Sequence, residues 1–314
     1  MKKTTSAFIS AFFIIILSFN NLYSQSTYEF LRLDMSARAS ALAGSFVSNA
    51  DDPDVIFYNP AGLQFLEKPQ ASFSFVKHLL DINLASLAYS TNLANIGRIG
   101  AAVKYINYGS FTQADEFGNK TGEFGAGEFA FMLGYCNLLD NNFSYGVNAK
   151  FIFSKIADRS SSAAAFDVGL HYALPSDMMD FGFAILNVGS QISAYYSTKE
   201  DLPLDIVLGV SKRMEHLPVR LSLDFHDLNE QQNTFFQKFQ SFSLGAEFYL
   251  SKVLSLRFGY NNQQRNDLAI AQSAGLAGIN IGLGALISGY RFDYGYSSLG
   301  LIGSLNRISV TTSF

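Results

Sequence analysis

Tryptophan is absent from this 314-residue chain, and cysteine occurs once, as Cys136. A single cysteine excludes a disulfide framework and any metal site built on several thiolates. Cys136 falls in a strand-like segment and reads as a small filler. Charge is scarce as well. Asp, Glu, Lys and Arg supply 15% of the residues, against about 25% in soluble domains. A net charge of −4 offers no basic footprint for nucleic acid. After residue 24 there is no run of about 18 apolar residues, which excludes a membrane-spanning helix. Yet 48% of the chain is hydrophobic and 15% aromatic.

Alternation reconciles these numbers. From Phe143 to Phe153 every odd position is apolar, and the even positions are small or polar until Ile152. From Val219 to His226 one face is apolar, and the other carries Arg220, Asp224 and His226. The last residues, Ser309 to Phe314, form one more short alternating segment closed by an aromatic. Lipid leaves backbone groups only two ways to pair internally, the helix and the closed barrel. With helices excluded, the pattern predicts an all-β protein: a 14-stranded antiparallel transmembrane β-barrel, apolar outside and polar in the lumen. A large secreted sandwich or solenoid has no need of aromatics on so many outward faces.

Three segments are expected. Residues 1–24 read as a signal peptide: Met1-Lys2-Lys3, an apolar core from Ala7 to Leu17, and a cut near Ser24. Residues 25–68 are rich in small residues and turn signals and too short for a core of their own, so they read as a plug in the barrel mouth. Residues 69–314 form the barrel. Its strands are placed at 70–77, 81–90, 97–107, 123–136, 142–154, 163–174, 180–187, 203–213, 218–227, 240–250, 253–262, 272–284, 288–297 and 305–314. The even count puts both ends of the barrel on the periplasmic side. Short turns then fall on that side, and longer polar segments (108–122, 188–202, 228–239, 263–271) on the outer side. Export and a barrel together predict the cell outer membrane, with outer-membrane lipid around the wall.

Strand parity assigns Lys104, Glu128, Lys150, Asp167, His171, Asp205, Arg220, Asp224, His226, Glu247, Arg257, Arg291, Asp293 and Arg307 to the lumen. The two signs are similar in number, which suggests pairs knitting the interior and not a single-sign conduction path. Outward candidates include Phe129, Phe131, Tyr135, Phe151, Phe225, Phe248, Phe258, Tyr290, Phe292, Tyr294 and Tyr296. Without Trp, Tyr and Phe must form the interfacial girdles.

Catalysis finds little support. Asp167 and His171 lie about 13 Å apart along one strand face, and Asp224 and His226 about 7 Å apart, by strand rise. No G-x-S-x-G elbow occurs in a strand-to-helix context. The cluster Asp51, Asp52 and Asp54 offers hard oxygens suited to calcium, but a capped turn is the simpler reading, and no metal or cofactor is expected. Strand glycines such as Gly245, Gly259, Gly278, Gly282 and Gly284 mark either lateral gaps or close packing against the plug.

The residues Ala50-Asp51-Asp52 and Phe57-Tyr58-Asn59-Pro60-Ala61-Gly62-Leu63 resemble the plug segment of FadL-like outer-membrane barrels, with Asn59, Pro60, Ala61 and Gly62 at the signature. Other motifs follow in order: Tyr28-Glu29-Phe30-Leu31-Arg32-Leu33, Ser36-Ala37-Arg38, Ala41-Leu42-Ala43-Gly44, Tyr105-Ile106-Asn107-Tyr108-Gly109, Asn187-Val188-Gly189-Ser190-Gln191-Ile192 and Gly209-Val210-Ser211-Lys212. With these the chain resembles the PorV/PorQ family over almost its whole mature length. That resemblance implies a component of the type IX protein secretion system of Bacteroidota. It also implies as partners other type IX secretion proteins and the C-terminal signal domains of cargo. The alternative it leaves open is FadL-like transport of hydrophobic small molecules.

Overall fold

The computed structural model describes residues 26–230, 234–269 and 273–314. The expected signal peptide lies outside the described residues. Fourteen strands follow: β1 Gln70–Lys77, β2 Asn83–Leu93, β3 Gly97–Ala114, β4 Lys120–Asp140, β5 Phe143–Ile156, β6 Arg159–Leu174 and β7 Met179–Ser193. The second half comprises β8 Asp205–Arg213, β9 Val219–Phe225, β10 Phe242–Tyr249, β11 Leu254–Asn261, β12 Ile279–Ile287, β13 Tyr290–Ser298 and β14 Ser304–Ser313. Each strand pairs antiparallel with its sequence neighbours, and β1 closes the barrel on β14, from Gln70 opposite Ser313 to Lys77 opposite Asn306. Closure removes every sheet edge within lipid.

The period of two decides which face is wet. Along β5, Ser144, Asn148, Lys150, Ile152 and Ser154 are buried toward the lumen, while Val147, Phe151 and Phe153 are exposed. The same outward band continues through Phe73, Leu87, Tyr105, Leu133, Phe166, Leu208, Leu221, Phe258, Ile281, Phe292 and Ile308. An apolar belt of this kind around a closed barrel is a lipid-facing surface. The protein is an outer-membrane barrel.

The strands differ most from the sequence expectation in three places, each for a local reason; β4 also runs four residues further, to Asp140, and β6 starts four residues earlier, at Arg159. The segment expected as an outer loop, 108–122, is the far half of a long hairpin. β3 and β4 continue pairing to Ala114 and Lys120, past register shifts on either side of Ser110–Gln113. β7 runs on to Ser193 because a bulge absorbs one residue: Phe166 faces Val188, while Val168 faces Ile185. Asn187 takes φ 63° there, and its N–H donates to the Asp167 carboxylate at 2.9 Å. β12 begins only at Ile279, because Gly275 (φ 53°) and Gly278 (φ 81°) turn a segment whose sequence still alternates. Between strands, short turns gather at the end that holds Phe314. The connections 194–204, 226–241 and 262–278 lie at the other, outer end.

Candidate functional site

The N-terminal segment runs through the barrel from the outer end to the periplasmic end. Its first described residue, Ser26, makes a parallel bridge to Asp201 in the β7–β8 connection. The Tyr28 hydroxyl meets Ser161, Arg32 pairs with Asp227 at 2.8 Å, and Lys104 donates to the Leu31 and Leu33 carbonyls. The chain then turns through a short helix, Ala37–Ala41, and two 3-10 turns, Pro53–Phe57 and Pro60–Phe65, before entering β1.

Local sequence explains those turns. Ser36, Asp52 and Asn59 each sit in extended backbone, and each side chain accepts a backbone N–H two or three residues on. These are N-cap residues doing what their short polar side chains favour. Pro53 and Pro60 occupy the first helical position, where no N–H is needed. Asn59 does more: its Nδ2 donates to the Val47 and Leu170 carbonyls, tying two parts of the plug to β6. Gly62 is required by proximity, since a Cβ there would stand 2.4 Å from the Asn49 carbonyl oxygen.

Ten of the fourteen strands bring a glycine against this segment, one each from β3, β4, β5, β6, β7, β8, β10, β11, β12 and β13. A Cβ at Gly146 would lie 2.5 Å from the Ala61 nitrogen, at Gly182 2.2 Å from the Val47 carbonyl oxygen, and at Gly282 2.4 Å from the Ala41 Cβ. Gly245 and Gly259 press on Leu42 and Ala43 in the same way. Gly245, Gly259 and Gly282 therefore mark close packing against the plug; Gly284 meets Arg257 and Asp293 of the wall instead, and Gly278, expected within a strand, lies in the β11–β12 connection. Ala41→Trp, at a wholly buried position, is expected to destabilise the plugged barrel by about 1–3 kcal/mol, the usual cost of overpacking. Hydrogen exchange across residues 36–66 checks this; unchanged protection in the variant contradicts the packing argument.

Charge completes the fit. Arg38 donates to Glu247 (3.0 and 2.7 Å), Asp51 (2.9 Å) and Asp52 (3.3 Å). Arg257 bridges Glu247 and Asp293, each at 2.7 Å. Arg291 pairs with Asp293 at 2.7 Å and with Asp52, and Arg220 reaches Asp51 at 3.4 Å. Four guanidiniums thus meet four carboxylates, the balance that makes burial of charge tolerable. Asp54 stands apart. It accepts from Ser72 through one oxygen, and the other is buried without a partner.

The remaining residues expected in the lumen form smaller clusters. Lys150 pairs with Asp167 at 2.7 Å and holds Asn187 at the β7 bulge. Asp224 accepts the Phe46 and Val47 N–H groups at 2.7 and 2.8 Å, gripping the plug backbone. The His171 ring lies 3.2 Å from the Ser48 carbonyl oxygen and packs on Phe65. Arg307 donates to the Asp34 carbonyl. Asp205, His226 and Ser243 line up in one hydrogen-bonded row, at 3.4 and 3.3 Å. The row is not a nucleophilic triad. Ser243 is fully buried, and Asp205, Asp224 and Asp227 overcome burial to push the His226 imidazolium up to about 9, so it holds its proton at neutral pH. Among the described residues no cluster of His, Cys, Asp and Glu can hold a metal; the acidic oxygens of Asp51 and Asp52 are taken by arginines. Sequence reasoning missed Arg38 at the centre of the network. Its one signal is a lone arginine in a run of small residues.

A larger cavity opens at each end of the barrel. One of about 550 Å³ opens at the periplasmic end beside Asp51, Gln70, Tyr249, Lys252, Arg291 and Thr311. The other, about 470 Å³, lies at the outer end among Phe124, Ile156, Arg159, Tyr195, Tyr196 and Glu200.

No family model matches the sequence, and no curated protein matches it. Solved structures do. The toluene transporter TbuX of Ralstonia pickettii superimposes with a TM-score of 0.59 at 11% identity, covering 89% of this chain and 98% of that one. The Pseudomonas putida toluene transporter TodX gives 0.56 at 13% identity, covering 94% and 99%. A FadL homologue of Pseudomonas aeruginosa gives 0.55 at 11%, covering 89% and 98%. The fold is FadL-like. At these identities the likeness carries the architecture alone, a closed 14-stranded barrel.

Proposed function

We propose that this FadL-like barrel is a sealed, non-enzymatic docking component of protein export, a PorQ-like member of the type IX secretion system that assists surface attachment of secreted cargo. The observation that carries this reading is the fit of the plug. Glycines on ten strands leave no room for even a Cβ, and the buried arginine network locks the same segment. Such an interior favours a rigid scaffold whose outer connections do the work. The order of sequence motifs along the mature chain supports the same assignment. A second reading, passage of hydrophobic small molecules, is favoured by the shared fold of the two toluene transporters and by the aromatic cavity at the outer end. It requires the plug to move. Deletion of the gene separates the two. Loss of surface display or release of cargo carrying type IX signals, with normal growth on hydrophobic nutrients, is the expected result. Normal display combined with lost uptake of a hydrophobic substrate overturns it in favour of transport.

A further inference from the structure

The hairpin of β3 and β4 projects past the rest of the wall. β2 stops pairing with β3 at Asn107, and β5 pairs with β4 only from Ala126 onward. Ala157 reaches the Gly125 carbonyl, but Lys120–Phe124 is paired with β3 alone. The other edge of that stretch pairs with no strand among the described residues, and Lys120–Glu123 are exposed. Phe111 and Phe124 stack at 5.3 Å and stiffen the hairpin. The space beside this stretch is open: a Cβ at Gly122 would meet nothing closer than 3.5 Å.

The free edge ends at the outer cavity. Phe124 is a wall of it, facing Tyr195 and Tyr196 from the β7–β8 connection and Ile156 and Arg159 from the β5–β6 turn. The Tyr195 hydroxyl is tied to Ser154, and the Arg159 guanidinium lies over the Tyr196 ring at 4.8 Å. The aromatic walls are therefore held in place before anything binds. At about 470 Å³ the cavity is of a size that takes compact apolar groups.

We infer that the Lys120–Phe124 edge and this cavity form one docking site for an extended strand of a partner protein, which pairs with the edge and seats an aromatic side chain between Tyr195 and Tyr196. The inference rests on the docking reading above. Two features point to a strand and not to a small apolar molecule. A small molecule fills the cavity but leaves the row of backbone donors and acceptors unanswered. A strand satisfies both, with main-chain bonds for affinity and a side-chain pocket for selectivity. Arg159 and Glu200, both in the cavity lining, suit a partner carrying both signs.

The test uses the full-length protein in detergent and a fluorescein-labelled peptide of alternating Thr and Val with one central Phe. Saturable binding is expected, weakened at least about tenfold when the central Phe becomes Ala, the loss of an anchor side chain. N-methylation of the peptide's odd-numbered amides and of its even-numbered amides should differ: one phase abolishes binding and the other is tolerated, because only one edge of the peptide meets β4. Tyr196→Ala, in an exposed connection, should also weaken binding about tenfold while the barrel stays heat-modifiable. Absence of saturable binding, equal effects of the two methylation phases, or toluene binding that no peptide displaces overturns the proposal. Phase-dependent binding together with normal cargo display in the deletion strain keeps the site and removes the secretion reading. Lost display without peptide binding keeps the secretion reading and removes the site.

Discussion

Replacing Arg38 by Met is expected to destabilise the plugged barrel by about 3–5 kcal/mol, the range for removing one partner of a buried ion cluster. Arg38 is almost wholly buried, and its guanidinium ties the plug's own Asp51 and Asp52 to Glu247 of the wall. Without it, Glu247 keeps Arg257 and Tyr249 among the described residues, and Asp51 keeps Arg220 with the more exposed Arg213. The cost comes from buried carboxylates left short of charge, so Glu247→Gln in the same chain should recover part of it. Urea titration of the detergent-folded protein, with protease digestion of the plug as a second probe, measures this. A plug as protected in Arg38→Met as in the parent would show that packing alone retains it.

Phe151→Lys carries the second large effect, about 2–4 kcal/mol for a cation on the lipid face near the midplane. Phe151 lies near the middle of β5, is 46% exposed, and pairs across the wall with Phe131 and Ala164. Phe151→Leu keeps an apolar side chain there and should cost less than about 1.5 kcal/mol. The yield of heat-modifiable barrel in lipid vesicles reports both. Equal losses in the two variants would place Phe151 away from lipid.

The two substitutions act on opposite faces of one wall. Outside, the solvent is lipid, so any large apolar side chain serves and a charge fails. Inside, the solvent is the protein's own N-terminal segment, and fit is demanded atom by atom. Lys150, on the even face of β5 beside Phe151, is tolerated only because Asp167 answers it. Reversal of faces between adjacent residues is what makes a register slip of one residue ruinous for the fold.

By itself the sequence determined the strand count, the closure, and the face of each strand. Those follow from a local rule, since neighbouring side chains point to opposite sides and lipid tolerates only one kind. Asp52, Pro53, Asn59 and Pro60 announced two of the plug's turns for the same reason: a cap is read within three residues. Only the tertiary structure decided what those faces meet. Arg38 and Glu247 are 209 positions apart, and Asn59 and Leu170 are 111 apart; no periodicity links them. Nor could alternation tell that the 108–122 segment stands up as a hairpin, or that Asn187 carries a bulge, because each depends on where a neighbouring strand stops. The glycines of the wall stood in plain view on alternating inward positions. Their purpose became visible only once the plug's backbone was seen to occupy the space that side chains would have filled.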